Sequence, residues 1–179
     1  MSIFHWIVLL IPVAVGYGIY RFAKSQPPVD ASPPSGVGGW LMFLVLGFTL
    51  LWPLFNAGQT MDVLVSAEKQ TPALLSRDSW ATYKSACWWL VLCVSILSVY
   101  AGLGLARGRN RAVVRRAIAV LWVNGPVAAL IMGTVIPATT YGQLLPIGAI
   151  ASGVAFSSIA AGVWTAYLMK SKRVRATYG

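Results

Sequence analysis

Residues 86–105 read ACWWLVLCVSILSVYAGLGL, twenty consecutive residues without a charged side chain, and residues 106–116 read ARGRNRAVVRR. A helix needs about 20 mostly apolar residues to cross the hydrocarbon core of a bilayer, because it rises only about 1.5 Å per residue. The first stretch has that length, and five arginines lie in the segment that follows it. The two segments together predict a membrane-spanning helix that ends at a strongly basic loop.

The composition of the whole chain agrees with membrane insertion. Of its 179 residues, 58% are hydrophobic and 10% are charged, whereas a soluble domain carries roughly 25% charged residues to cover its surface. The net charge is +10, and a strongly basic balance of this kind is typical of many nucleic-acid-binding proteins. Here the basic residues cluster at the ends of apolar blocks, as membrane topology requires. We therefore expect the lipid bilayer, and no nucleic acid, as the partner of this surface.

Further apolar blocks outward from this stretch predict an all-α, multi-pass transmembrane bundle of five spans. Residues 1–24 contain an N-terminal transmembrane helix, and the sequence leaves open whether that helix is retained or cleaved. A proline-rich cytoplasmic linker is predicted at 25–35, since its four prolines forbid a helix. A four-span membrane domain with a basic C-terminal tail follows at 36–179. Its spans are predicted at 38–55, 86–105, 117–136 and 144–169, with a long polar segment at 56–85 and a short connection at 137–143.

The distribution of Lys and Arg predicts the orientation of the chain. In the five-span arrangement eleven basic residues lie on one side of the membrane and three on the other. The richer side is expected in the cytoplasm, which places the N-terminus outside and the C-terminus inside. The basic tail either contacts anionic lipid or only fixes the topology. Its members are Lys170, Lys172, Arg173 and Arg175.

The last span carries small residues at intervals of four, which lie roughly on one helix face. Such a face lets two helix backbones approach closely in a membrane. We predict that it packs against another span of this chain, and the alternatives are a homo-oligomer or a different membrane protein as partner. The predicted helix-packing face consists of Ala149, Gly153, Ser157, Ala161 and Thr165.

The middle of the fourth span contains Asn124, Gly125 and Pro126. Proline removes a backbone hydrogen bond, so a kink is predicted there. The Asn124 side chain either satisfies the carbonyls freed by the proline or contacts a substrate. Both interpretations make this the candidate polar site inside the membrane.

The residues that the spans lack restrict the chemistry of the protein. Spans two to five contain no Asp, Glu, Lys, Arg or His, which counts against proton-coupled transport and acid–base catalysis within the membrane. With one histidine and two cysteines in the chain, no metal site and no cofactor is predicted. We therefore expect a protein that is not an enzyme.

Two short motifs near the ends of the four-span domain resemble a known family. The opening GVGGWL at residues 36–41 and the closing YLMKSKRVRATY at 167–178 resemble the motifs of a bacterial inner-membrane family catalogued as domain of unknown function 2569. The resemblance implies four spans, a cytoplasmic C-terminus and the bacterial cytoplasmic (inner) membrane. This chain departs from the family pattern by its additional first helix, by its proline-rich linker and by a central loop without proline. The resemblance implies no activity.

Two functional hypotheses follow from the sequence. The first is a non-enzymatic accessory or scaffold subunit that acts through helix–helix contacts, based on the small-residue face and the short loops. The alternative is a small transporter or channel for a neutral or amphipathic, lipid-like solute. This alternative requires a polar path or a lateral groove at the level of Asn124, whereas tight packing there would exclude it.

Overall fold

The computed structural model describes residues 36–179, which form a helical bundle with no strand in that range. Its long helices are α1 (Trp40–Gln70), α2 (Asp78–Arg107), α3 (Arg111–Tyr141) and α4 (Ile147–Lys170). A short helix, α5 (Lys172–Tyr178), closes the chain. Each long helix is long and apolar enough to cross a membrane. This agrees with the predicted four-helix core, while the predicted first span and the linker lie outside the described residues.

The helices extend beyond the predicted spans, because the length of an apolar run reports how much of a helix suits lipid and not where the helix ends. Helix α1 continues past the predicted end at residue 55 to Gln70. Much of the predicted polar segment is therefore helical. This part of the chain is rich in residues that favour a helix. Helix α3 likewise continues through Pro137 to Tyr141 and ends at Gly142, whose φ of +66° is the usual helix stop.

Three prolines lie inside the long helices, and the backbone accommodates each with a π-helical turn. The turns are Gly47–Leu51 before Pro53, Val123–Val127 around Pro126, and Ile131–Val135 before Pro137. Proline has no N–H and crowds the carbonyl four residues back, and a π turn shifts the bonding pattern to five residues back. The N–H of Trp52, for example, donates to the carbonyl of Gly47. The helix continues through Pro126 by this device.

Charge separates the two ends of the bundle. We call the end formed by residues 107–116 and 170–175 the basic end, because nine Lys and Arg residues lie there and the described residues contribute no acidic group to it. The opposite end, formed by residues 68–84 and 141–147, is called the far end. There the Glu68 carboxylate accepts hydrogen bonds from the Trp80 indole (2.9 Å) and the Lys84 ammonium (2.6 Å), which ties α1 to α2.

The hydrophobic core lies almost entirely in the half of the bundle nearer the basic end. At its closest point Gly102 of α2 packs against α1, where a Cβ would come within 2.5 Å of the Thr49 methyl group. The half nearer the far end has no comparable core. The core side chains are Leu41, Leu44, Val45, Phe48, Ala101, Leu105, Ala106, Val114, Ala117, Leu121, Ala161, Leu168, Val174 and Tyr178.

The outer surface of the bundle is apolar. Large side chains such as Trp89, Ile96 and Phe156 are 67%, 60% and 78% exposed. A soluble protein rarely exposes so many large apolar groups, whereas lipid tails are a suitable solvent for them. Four apolar helices with this surface indicate a protein embedded in a membrane.

Candidate intramembrane cavity

A cavity of about 560 Å³ lies between the four long helices, from the level of Asn124 towards the far end. Small-molecule sites in proteins typically enclose about 300–1,000 Å³. All four helices line the cavity, with side chains from residues 48–64 of α1, 83–94 of α2, 121–132 of α3 and 153–161 of α4, joined by Leu145.

The cavity is closed towards the basic end. Phe48, Leu121 and Ala161 line it and also belong to the hydrophobic core, with exposures of 1%, 3% and 2%. These side chains form its floor, and the packed half of the bundle lies beneath them. The cavity is therefore a pocket with one closed end and not a continuous pore.

The opening of the cavity lies between α1 and α4. The exposed residues of its lining come from these two helices and from the loop before α4, and they are Phe55, Gln59, Val63, Leu145, Gly153 and Phe156. Every lining residue on α2 and α3 is buried or half-buried. The cavity is therefore open on the side where α1 and α4 face each other.

Within the described residues, helices α1 and α4 contact each other near the basic end. The Phe43 and Trp164 rings stack there, with centroids 6.1 Å apart and planes 28° apart. The Trp52–Gln70 part of α1 and the outer part of α4 do not pack along each other. Within residues 36–179, the two helices thus form an open seam that leads into the cavity.

The polar groups of the lining are all uncharged at neutral pH. They are Asn56, Gln59 and Thr60 on α1, Tyr83 and Cys87 on α2, Asn124 on α3 and Ser157 on α4, among a larger number of apolar side chains. Within residues 36–179, no three His, Cys, Asp or Glu side chains come together as metal ligands would. The cavity offers hydrogen bonds and apolar contact without a formal charge.

Asn124 links α3 to α2 by a hydrogen bond at the wall of the cavity. Its Nδ2 donates a 2.9 Å hydrogen bond to the Val94 carbonyl, which orients the amide because only its nitrogen can donate. The partner lies on α2 and is not a carbonyl freed by Pro126. The Oδ1 atom is buried and has no hydrogen-bond partner among the described residues. A buried acceptor without a partner costs about 1–3 kcal/mol.

Gly125 and Pro126 provide the packing contact between α3 and α4. A Cβ at Gly125 would lie 3.3 Å from the carbonyl oxygen of Ser157, so glycine allows the two backbones to come close. Pro126 is buried beside it. The predicted kink site is thus a helix-packing contact at the edge of the cavity.

The small-residue face of α4 divides into two parts. Ser157 packs on Gly125, Ala161 is buried, and Thr165 accepts a 3.2 Å hydrogen bond from the indole of Trp122. These three positions lie on the side of α4 that contacts α3. Ala149 and Gly153 are exposed instead, and Gly153 lines the cavity.

The basic tail folds back onto the start of α1. Arg173 lies against the opening glycines, where a Cβ on Gly39 (φ +58°) would come within 2.7 Å of its Nη1. Val174 and Thr177 are buried. Lys170, Lys172 and Arg175 remain exposed, which leaves three of the four predicted lipid-contact residues on the surface.

Tyr178 fastens the tail to the end of α2. Its hydroxyl donates a 2.5 Å hydrogen bond to the Leu105 carbonyl, one of the last carbonyls of that helix. Burial raises the pKa of Tyr178 to about 12. Arg111 also donates to the carbonyl of Gly179. The tail therefore closes the basic end of the bundle.

Sequence reasoning missed part of this site. Asn56, Gln59 and Thr60 lay in the predicted polar segment outside the membrane, and they line the cavity only because α1 continues past Phe55. Their spacing of three and four residues places them on one helix face, and that signal was present in the sequence.

These features define a small multi-pass helical membrane protein with a one-ended cavity between its spans. The chain belongs to the family described as "Protein of unknown function (DUF2569)", whose sequence model matches residues 34–179. This confirms the resemblance carried by the opening and closing motifs. No curated protein and no solved structure matches the chain.

Proposed function

We propose that the protein binds an uncharged, largely apolar solute within the membrane, in the cavity between its four spans. The observation that carries the proposal is the 560 Å³ cavity, which every long helix lines and to which residues 36–179 contribute no charged side chain. An ionic solute would lose its hydration there without a counter-charge, at a cost that an apolar solute does not incur. The proposed role is non-enzymatic and needs no cofactor.

The packing favours binding over free conduction. A channel would need a path through the core beneath Phe48 and Leu121, and these side chains are almost fully buried. Release on the opposite side would require the packed half of the bundle to open. We therefore propose a binding or carrier protein whose cavity the solute reaches from one side.

The charge separation supports an orientation for this binding protein. With the basic end in the cytoplasm of a bacterial cell, the cavity lies in the outer half of the inner membrane. Lys170, Lys172 and Arg175 would then face the anionic inner leaflet, at roughly 1 kcal/mol for each residue near the surface.

Substitution of Gly153 tests the proposal. A Cβ at Gly153 meets no atom within 4 Å, so Gly153→Leu should fill part of the cavity without disturbing α4. Gly148→Leu is the matched control, since Gly148 is equally unhindered on the same helix and does not line the cavity. Native mass spectrometry of protein extracted in mild detergent should show a bound small molecule in the wild type and in Gly148→Leu. Its loss from Gly153→Leu is expected, and equal occupancy in all three proteins would refute the proposal.

A second candidate role is that of an accessory subunit acting through helix contacts. It is supported by the exposure of Ala149 and Gly153, which leaves the outer part of the small-residue face without a partner among residues 36–179. Ala149→Leu separates the two roles, because Ala149 does not line the cavity. Loss of a co-purifying membrane protein or of a homo-oligomer in this variant would favour the second role. A monomer without associated protein would count against it.

A further inference from the structure

We infer that the ligand of the cavity is lipid-like: a hydrocarbon chain that ends in an uncharged hydroxyl or amide group and enters sideways from the bilayer between α1 and α4. This inference rests on the proposed function and narrows it to one class of ligand and one route of entry.

The route follows from the exposure of the lining. Phe55 of α1 and Phe156 of α4 line the cavity and are 59% and 78% exposed, at positions inside the apolar spans. Around these spans the surrounding phase is hydrocarbon. A molecule that reaches the cavity through this seam therefore arrives from lipid, and one dissolved in water would first have to enter the bilayer.

The distribution of polar groups along the cavity predicts how the ligand is oriented in it. The floor of the cavity consists of Phe48, Leu121 and Ala161, which offer only apolar contact. Asn56, Gln59 and Thr60 lie on one face of α1, further towards the far end. A chain would thus lie towards the floor with its polar group near this stripe, the same way up as a lipid of that leaflet.

The side chains that line the cavity also indicate which kind of polar group the ligand carries. The amides and hydroxyls of the lining donate and accept hydrogen bonds, and no Lys, Arg, Asp or Glu is among them. A phosphate or an ammonium group would find no opposite charge inside the cavity. An alcohol or an amide would match the lining, since both can donate a hydrogen bond to an amide oxygen.

Photolabelling of the full chain in phosphatidylcholine vesicles tests the inference. The probe is a dodecanol analogue with a diazirine in its chain, and labelled residues are mapped by mass spectrometry. Cys87 and Val91 line the cavity and are only 2% and 7% exposed, so only a probe inside the cavity reaches them. Leu92 and Ile96 on the same helix are 47% and 60% exposed and report contact with bulk lipid.

The expected result is saturable labelling of Cys87 and Val91. Unlabelled dodecanol at ten times its Kd should lower that labelling about tenfold, because few sites then stay empty. Labelling of Leu92 and Ile96 should not change. Dodecyl phosphate should not compete, and Gly153→Leu, but not Gly148→Leu, should remove the saturable signal.

Two results would overturn the inference. Labelling confined to Leu92 and Ile96 would show that the chain does not enter, and equal competition by dodecyl phosphate would show that the polar group need not be uncharged. Native mass spectrometry then decides the proposed function separately. A bound molecule that is lost in Gly153→Leu would leave the proposed function standing with another ligand, and no bound molecule would end both.

Discussion

The backbone N–H of Gly36 donates a 3.0 Å hydrogen bond to the hydroxyl of Thr177, which lies 141 positions further along the chain. The same hydroxyl donates to the Arg173 carbonyl one turn earlier in α5. This contact brings the opening and closing motifs of the family together at the basic end. The two motifs are thus parts of one structural site, which holds the C-terminal tail against the segment that precedes α1.

Gly39 should not tolerate a side chain. Its φ of +58° is strained for other residues, and a Cβ would collide with the Arg173 guanidinium. We expect Gly39→Ala to lower the free energy of unfolding by about 1–2 kcal/mol, measured by dodecyl sulfate titration in mixed micelles. Gly58→Ala is the control, since Gly58 is helical and unhindered and alanine favours a helix by about 1 kcal/mol. Equal effects of the two substitutions would argue against the site.

Tyr178 should contribute to stability through its hydroxyl. Tyr178→Phe leaves the buried Leu105 carbonyl without its 2.5 Å hydrogen bond, and a loss of about 1–2 kcal/mol is expected. Tyr100→Phe is the matched control, because Tyr100 is exposed and its hydroxyl only accepts a 3.4 Å bond from Arg116. The same unfolding titration compares the two variants. A larger effect at Tyr100 would contradict the assigned role.

The stability should also depend on pH through Tyr178. Burial raises its pKa from the usual 10.0 to about 12, so folding favours the neutral phenol. This contribution is complete below pH 10 and is lost as the pH rises towards 12, because the unfolded chain releases its proton first. Unfolding titrations across this range should show a steeper loss for the wild type than for Tyr178→Phe. Parallel curves would contradict the burial of a neutral phenol.

Asn124 should matter more for the ligand than for the fold. Asn124→Leu removes a hydrogen bond to Val94 worth about 1 kcal/mol, and it also removes the buried Oδ1, whose lack of a partner costs a similar amount. We expect a change in unfolding free energy of less than about 1 kcal/mol, together with loss of the bound molecule in native mass spectrometry. Asn124→Asp, which buries a charge, should be strongly destabilising. A Leu variant that unfolds readily would make Asn124 a structural residue.

The orientation can be tested with single cysteines. In a chain with Cys87 and Cys93 replaced by alanine, Lys172→Cys marks the basic end and Gln143→Cys marks the far end, and both positions are exposed. A membrane-impermeant maleimide added to spheroplasts, the outer membrane having been removed, should label Gln143→Cys only. Labelling of Lys172→Cys in intact spheroplasts would reverse the proposed topology.

The sequence predicts the four-helix core well because each apolar residue in a long stretch favours the membrane, and these contributions add up. Twenty apolar residues such as 86–105 cannot remain in water, whatever their neighbours do. Helix ends depend on local capping and on proline, and the π turns that allow α1 to pass Pro53 and α3 to pass Pro137 leave no plain mark in the sequence. The boundaries were therefore the part of the fold predicted least well.

The cavity could be predicted only in outline. The hypothesis of a transporter or channel required a polar path or a lateral groove at the level of Asn124, and the structure has a cavity at that level. Which helices fail to pack, and on which side, depends on contacts between distant residues such as Phe43 and Trp164. No periodic pattern in one helix reports such a contact.

The most direct test of the account is an experimental density map of the protein in lipid nanodiscs. We expect an elongated, non-protein density between α1 and α4, which begins beside Asn124 and passes between Phe55 and Phe156 into the lipid. A map in which α1 and α4 pack together along their length, with no space at Asn124, would contradict it.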